Sequence, residues 1–220
     1  MSRILIACSM MENEIEKVYK ETGCTIPIIW VERGYHNTPA KLKEKLQTMI
    51  DGLQDYDEIL LTFGLCGNGT QGIVSPRATL VLPKFDDCIN MLLCRGNRTA
   101  RGLVNARSIY LTSGWIQDRD SILQQYEKYV EEYGAEMAEE ILDAMYEHYE
   151  KISVLDTGSY DLAPVQEYAG KAAQLLNLST ETVPGSTEML KNLITGQWDV
   201  NMIVQKPGEP VSYDRFAISL

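Results

Sequence analysis

The chain predicts an α/β protein built on a mostly parallel sheet with helices on both faces, and three observations carry that expectation. Short apolar runs bounded by turn residues recur at strand length. Stretches with apolar spacings of three and four residues fall between most of them. The resulting alternation of strand and helix returns each strand to the sheet in the same direction, because a helical crossover joins parallel neighbours.

The elements follow in order. A first strand is expected over residues 3–8, then a helix over 11–22, with Ser9 able to cap its start and Ile15, Val18 and Tyr19 on one face. A strand over 27–31 leads to a helix over 38–53. That helix has Thr38 at the cap, Pro39 at its first position and Leu42, Leu46, Met49, Ile50 and Leu53 along a stripe. Strands over 58–63 and 79–82 follow, with a short helix over 88–93. Later strands are expected over 108–112, 152–156, 180–183 and 200–204, and later helices over 119–150, 164–177 and 186–195. The chain reads as one α/β domain over 1–220, or as two α/β halves divided near the polar, Arg/Asn/Gly-rich segment at 97–107.

Composition bounds the function. A hydrophobic share of 45% and a charged share of 23% suit a folded domain. The net charge of -11 repels phosphate, so neither nucleic acid nor an anionic membrane is an expected partner. Much of the acidity lies in residues 127–150, which reads as a solvated helical face. The apolar run after Arg3 is too short for an export signal, and no stretch is long enough to span a bilayer. A cytoplasmic setting is expected, with the five cysteines reduced.

Three of those cysteines fall at carboxyl ends of predicted strands, where ligands of open parallel sheets bind. Cys8 closes the first strand, Cys66 follows the third and Cys88 follows the fourth, so residues far apart in sequence can meet as metal ligands. Glycines beside Cys66 let backbone approach a ligand, which makes Gly67 and Asn68 candidates for substrate contact. A helix start at Cys88 favours the thiolate. The bland alternative is three small buried apolar residues. Cys24 and Cys94 lack the placement and read as structural. No CxxC or HExxH is present, and the Gly64–Gly72 loop fits neither the dinucleotide nor the P-loop pattern.

Other residues at strand ends are candidates for the same cleft. His36 follows the second strand and can act as base or ligand, or lie in a surface turn. Ser113 and Trp115 are candidate substrate contacts. Asp156 is a candidate catalytic group, or the head of an Asx turn. Ser186 reads as a cap, and His148 as a solvated residue of the acidic helix.

Over nearly its whole length, at YDEILLTFGLCGNGTQGI, LVLPKFDDCINMLL, IYLTSGWI, VLDTGSYD and ITGQWDVNMIV, the chain resembles the domain-of-unknown-function family numbered 1638. The resemblance implies a setting beside corrinoid-dependent methyltransferases in anaerobic one-carbon metabolism. The family has His-Asp-Cys where this chain has Asp86-Asp87-Cys88, so a carboxylate, Asp86, takes the place of a histidine ligand. Three functions follow as expectations. One is a zinc-dependent methyltransferase-like enzyme or accessory protein with a small-molecule substrate, Cys8, Cys66 and Cys88 holding the metal. Another is a [4Fe–4S] protein using the same thiols. The third is a non-enzymatic partner or chaperone of a corrinoid protein or methyltransferase.

Overall fold

The structure, a computed structural model, describes residues 1–95 and 104–216. Its strands are β1 (Arg3–Cys8), β2 (Ile28–Val31), β3 (Glu58–Leu61), β4 (Thr79–Pro83), β5 (Ser108–Leu111), β6 (Lys151–Asp156), β7 (Ser179–Pro184) and β8 (Met202–Gln205). Its helices are α1 (Glu12–Thr22), α2 (Pro39–Gly52), α3 (Cys88–Leu93), α4 (Ser113–Ile116), α5 (Ile122–Tyr133), α6 (Ala135–Tyr146), α7 (Leu162–Leu175) and α8 (Glu188–Thr195). Two compact units result: Met1–Leu103 with Ser186–Leu220, and Val104–Gly185. The second is inserted into the sequence of the first. Most of the expected link lies outside the described residues, which resume at Val104.

The first unit carries a five-stranded sheet in the order β2-β1-β3-β4-β8. The first four strands are parallel and β8 runs antiparallel to β4, with Pro83 opposite Met202. Ile4, Leu5, Ile6 and Ala7 are buried in succession, as are Ile59, Leu60 and Leu61. Strands covered on both faces read as continuous apolar runs, which is why the sequence announced them. At the amino edge Arg3 Nε meets Glu58 at 2.5 Å, and its guanidinium lies 5.3 Å from the Trp198 ring centre. That pairing secures the edge remote from the cysteines.

Strand order reverses between β1 and β3: β2 is added on one side of β1 and β3 on the other. The connections on the carboxyl side therefore leave in opposite directions, the arrangement at which open parallel sheets characteristically bind ligands. Cys8 ends one of those two strands, and the Cys66 loop follows the other.

The second unit has a parallel sheet in the order β5-β6-β7. Leu111, Ile122, Leu142, Ile152, Val154, Val165, Ala169 and Ala172 form its core. The single helix expected over 119–150 is two helices, α5 and α6, split at Gly134 with φ +85° and ψ 163°. That backbone region is open essentially to glycine alone, and the helical ladder cannot pass through it. The turn of helix at α4 was not anticipated; four residues carry too little periodicity to register. Among the described residues, no helix is long and apolar enough to cross a membrane.

Candidate functional site

The carboxyl edge of the larger sheet is assembled by backbone contacts between loops. At the end of β1 the Cys8 N–H donates to Thr62 Oγ1 at 2.9 Å, just past β3, and the Thr62 N–H donates to the Ile6 carbonyl at 3.1 Å. The ladder between these strands is thus extended by one side chain. Cys8 is 7% exposed.

The Cys66 loop is then stitched to the segment after β4. The Leu65 N–H donates to Phe85 O and the Cys66 N–H to Asp86 O, each at 2.8 Å. The approach is so close that a Cβ on Gly64 would lie 2.3 Å from the Phe85 carbonyl oxygen, so only glycine fits. The chain then turns back through three consecutive left-handed residues, Cys66 (φ +46°), Gly67 (φ +63°) and Asn68 (φ +77°). Two of the three carry side chains, and such conformations persist only where surrounding bonds impose them. Thr70 Oγ1 donates to Gly64 O at 2.8 Å and closes the loop on itself.

Cys88 opens α3. The preceding Asp87 caps that helix: its Oδ1 accepts from the Asn90 N–H at 2.8 Å and from Asn90 Nδ2 at 2.9 Å. Capping fixes where the helix starts, and with it the Cys88 thiol.

The electrostatics show that these thiols are neighbours. Burial pushes the Cys66 thiol up to about 12, helped by Cys8 and Asp87 and opposed by a hydrogen bond from the Gly64 backbone. Burial also pushes Cys88 well up, and Cys8, Asp87, Cys66 and Glu14 act in the same direction. Cys8 therefore shares one locality with Cys66 and Cys88, and the latter two are neutral thiols at pH 7. Cys66 and Cys88 are half-buried as residues, although burial is the main cause of the shift at both thiols. The thiolate that a helix start favours does not form at Cys88, because burial and neighbouring acids outweigh one short turn of helix.

Sequence reasoning missed Asp87 and Glu14. Asp87 lies three residues before Asn90, a spacing that signals a cap. Glu14 shares the buried face of α1 with Ile15 and Val18, and a charged residue in an apolar stripe was the available signal. Asp86 contributes its main-chain carbonyl to the Cys66 N–H, and the carboxylates that act on the thiols are Asp87 and Glu14. Gly67 and Asn68 are exposed beside Cys66. The backbone of His36 lies on the 3-10 turn Arg33–Asn37 that follows β2; its side chain lies outside the described residues.

The remaining candidates belong to the second unit. Ser113 begins α4 and accepts a 3.1 Å bond from Gln117 Nε2. Trp115 packs against that unit's core. Asp156 Oδ1 accepts from the Gly158 N–H at 2.9 Å, an Asx turn. Cys94 is fully buried, its thiol pushed up to about 11 by burial, Glu188 and Asp199. The Cys24 sulfur accepts from the Ile26 N–H at 3.5 Å. All five cysteines are free thiols.

Among the described residues, no group of three or more His, Cys, Asp or Glu side chains is arranged so that it could hold a metal ion. The donor type nevertheless suits a thiophilic cation: three thiols from three strand ends share one locality, with Asp87 acting on both Cys66 and Cys88.

The family model described as "Protein of unknown function (DUF1638)" matches residues 30–194, and the chain belongs to that family. No curated protein and no solved structure matches the chain.

Proposed function

We propose that this DUF1638 protein binds a thiophilic metal, zinc in the first instance, on Cys8, Cys66 and Cys88. It would then serve as a metal-dependent enzyme or accessory protein of corrinoid-linked one-carbon metabolism. The observation that supports the metal reading is the convergence of Cys8, Cys66 and Cys88 from the carboxyl ends of β1, β3 and β4, with Cys8 acting on both other thiols. Neutral thiols are poor nucleophiles, which weighs against a metal-free cysteine enzyme. The one-carbon setting rests on the family likeness alone.

The chain's own residues have definite tasks in this reading. Thr62 holds the Cys8 backbone, Phe85 and Asp86 hold the Cys66 turn, and Asp87 holds the start of α3. All three thiols must lose protons and draw together as the ion enters, so binding strengthens as pH rises. When bound, zinc supplies Lewis acidity that lowers the pKa of a substrate thiol. A small substrate can approach over Gly67 and Asn68, the exposed part of the loop. His36 is the candidate fourth ligand or base at the end of β2, and Asp86 the candidate carboxylate after β4.

The same thiols suit a [4Fe–4S] cluster, and one experiment separates the possibilities. The protein is purified anaerobically and analysed for zinc, iron and sulfide. The expected result is about one zinc per chain, lost in Cys66→Ser. Iron with sulfide and broad visible absorbance would transfer the site to the cluster. Neither metal, even after reconstitution, would overturn the metal reading and leave the interaction role.

A further inference from the structure

The α5–α6 hairpin of the second unit carries charge that opposes its own helices. Between Ile122 and Glu147 the chain has eight Asp and Glu residues, all exposed, and Lys128 is its only Lys or Arg. Solvated helices are supported by opposite charges four residues apart, yet Glu127 and Glu131, Glu136 and Glu140, and Glu139 and Asp143 place like charges at that spacing. The carboxyl end of a helix favours cations. Neither helix has a basic residue in its last turn, where α5 has Glu131 and Glu132 and α6 has Asp143. Among the described residues, Glu147 meets His148 Nε2 at 3.2 Å, and the other seven carboxylates are in no ion pair.

Large apolar side chains stand out among these carboxylates. Tyr133 is 58% exposed, and Met137 and Met145 are each 48% exposed. Tyr129 joins two of them into one surface: its hydroxyl lies 3.9 Å from Met145 Sδ, and its ring centre 6.4 Å from that of Tyr133. Ile122 and Leu142 anchor the hairpin in its unit's core, and Tyr133, Met137 and Met145 stand outside that core. Tyrosine and methionine supply broad, adaptable contact area and are enriched where protein surfaces meet. Charge then selects the occupant. A second copy would bring the same carboxylates to the contact, and an anionic membrane or nucleic acid is repelled in the same way. A basic protein surface is attracted, and its cations relieve the like-charge pairs.

We propose that the exposed face of α5 and α6 docks a basic amphipathic segment of another protein. Its Lys and Arg residues meet the carboxylates, and its apolar side seats on Tyr129, Tyr133 and Met145. The surface belongs to the second unit and does not rest on the metal reading. Charge steers the partner in and fixes its orientation, so association slows as salt rises. The apolar contact holds it once docked and is far less sensitive to salt.

The test is fluorescence anisotropy of two dye-tagged synthetic peptides titrated with the full chain at low salt. One peptide is a helix with leucines on one face and lysines on the other. The second has the same composition in an order that spreads both residues around the helix. The amphipathic peptide should bind about tenfold more tightly. Tyr133→Gln combined with Met145→Gln, both at exposed positions, should remove that preference and leave the salt-sensitive binding common to both peptides. Glu136→Gln, Glu140→Gln and Asp143→Asn together should weaken both peptides and keep the preference. Equal binding of the two peptides by the parent would overturn the proposal. So would a preference that survives the loss of Tyr133 and Met145, or binding indifferent to the neutralised carboxylates. Sedimentation of the free chain as a dimer that the Tyr133→Gln, Met145→Gln variant dissociates would make a second copy the occupant and overturn it as well.

Discussion

The two units use the same device, a parallel sheet with helical crossovers, and end it in different chemistry. In the unit formed by β5, β6 and β7, the polar groups on one sheet face pair across the strands. Ser108 and Ser153 share a hydroxyl hydrogen bond, Ser153 Oγ donates to Glu181 at 2.7 Å, and Lys151 Nζ reaches the same carboxylate at 3.1 Å. Hydrogen bonds from Ser153 and Lys151 hold Glu181 below the usual carboxylate range. In the unit formed around β1, β3 and β4, thiols and acids gather instead: Cys8 and Asp87 push both the Cys66 and the Cys88 thiol up, and Cys66 and Glu14 add to the push on Cys88. Matched groups settle a structure, whereas a concentration of one kind of acid is stable only while its protons remain or a cation replaces them. The contrast is why the proposed metal site is placed in the first unit.

The largest expected effect is at the joint between the loops after β3 and β4. Gly64→Ala places a methyl 2.3 Å from the Phe85 carbonyl, and should cost about 3 kcal/mol by urea denaturation. It should also displace Cys66 and reduce metal retention. A variant as stable as the parent would mean that this stitching does not hold the site.

Gly134→Ala, the matching test in the second unit, forces a side chain into the φ +85° conformation between α5 and α6. It should cost about 1–3 kcal/mol yet leave metal content intact. Metal loss there would erase the distinction between the units.

Acid and alkali should act on the two units separately. Glu181 is shifted down, so its contribution is present above its usual 4.5 and is lost as pH falls below that value. The Cys66 thiol is shifted up, so its contribution is present below its usual 9.0 and is lost as pH rises toward about 12. Melting temperature of metal-free protein followed from pH 8 to pH 11 should fall more steeply in the parent than in Cys66→Ser. Equal slopes would remove the thiol from the alkaline transition.

The smallest effect is expected at Asp156. Asparagine preserves the Asx turn to Gly158, so Asp156→Asn should change stability by less than about 0.5 kcal/mol. Metal content should stay at the parental level; a loss would return Asp156 to the list of working residues.

Much of this was legible in the sequence because buried parallel strands leave uninterrupted apolar runs. β1, with RILIAC, and β3, with EILL, could hardly be missed. The placement of Cys8, Cys66 and Cys88 after β1, β3 and β4 was also legible, since a strand end is a topological address that spacing along the chain approximates. What escaped depended on conformation or on contacts between distant segments. The left-handed run at Cys66, Gly67 and Asn68 is held by hydrogen bonds that the Leu65 and Cys66 N–H groups donate to carbonyls of the loop after β4, and at Cys66 nothing in the residue type signals it. Gly134 is a single residue inside a strongly helical pattern, and its φ decides whether the helix continues. Glu14 was hidden by its neighbours, because a glutamate in the first turn of an acidic helix reads as solvated until burial shows otherwise.

The central claim is tested most directly by X-ray absorption at the metal edge of anaerobically prepared protein. The account predicts about three sulfur scatterers at roughly 2.3 Å around zinc, with all sulfur scattering lost when Cys8, Cys66 and Cys88 are replaced together by serine. A metal coordinated only by nitrogen and oxygen, or a sulfur shell that survives the triple replacement, would contradict it.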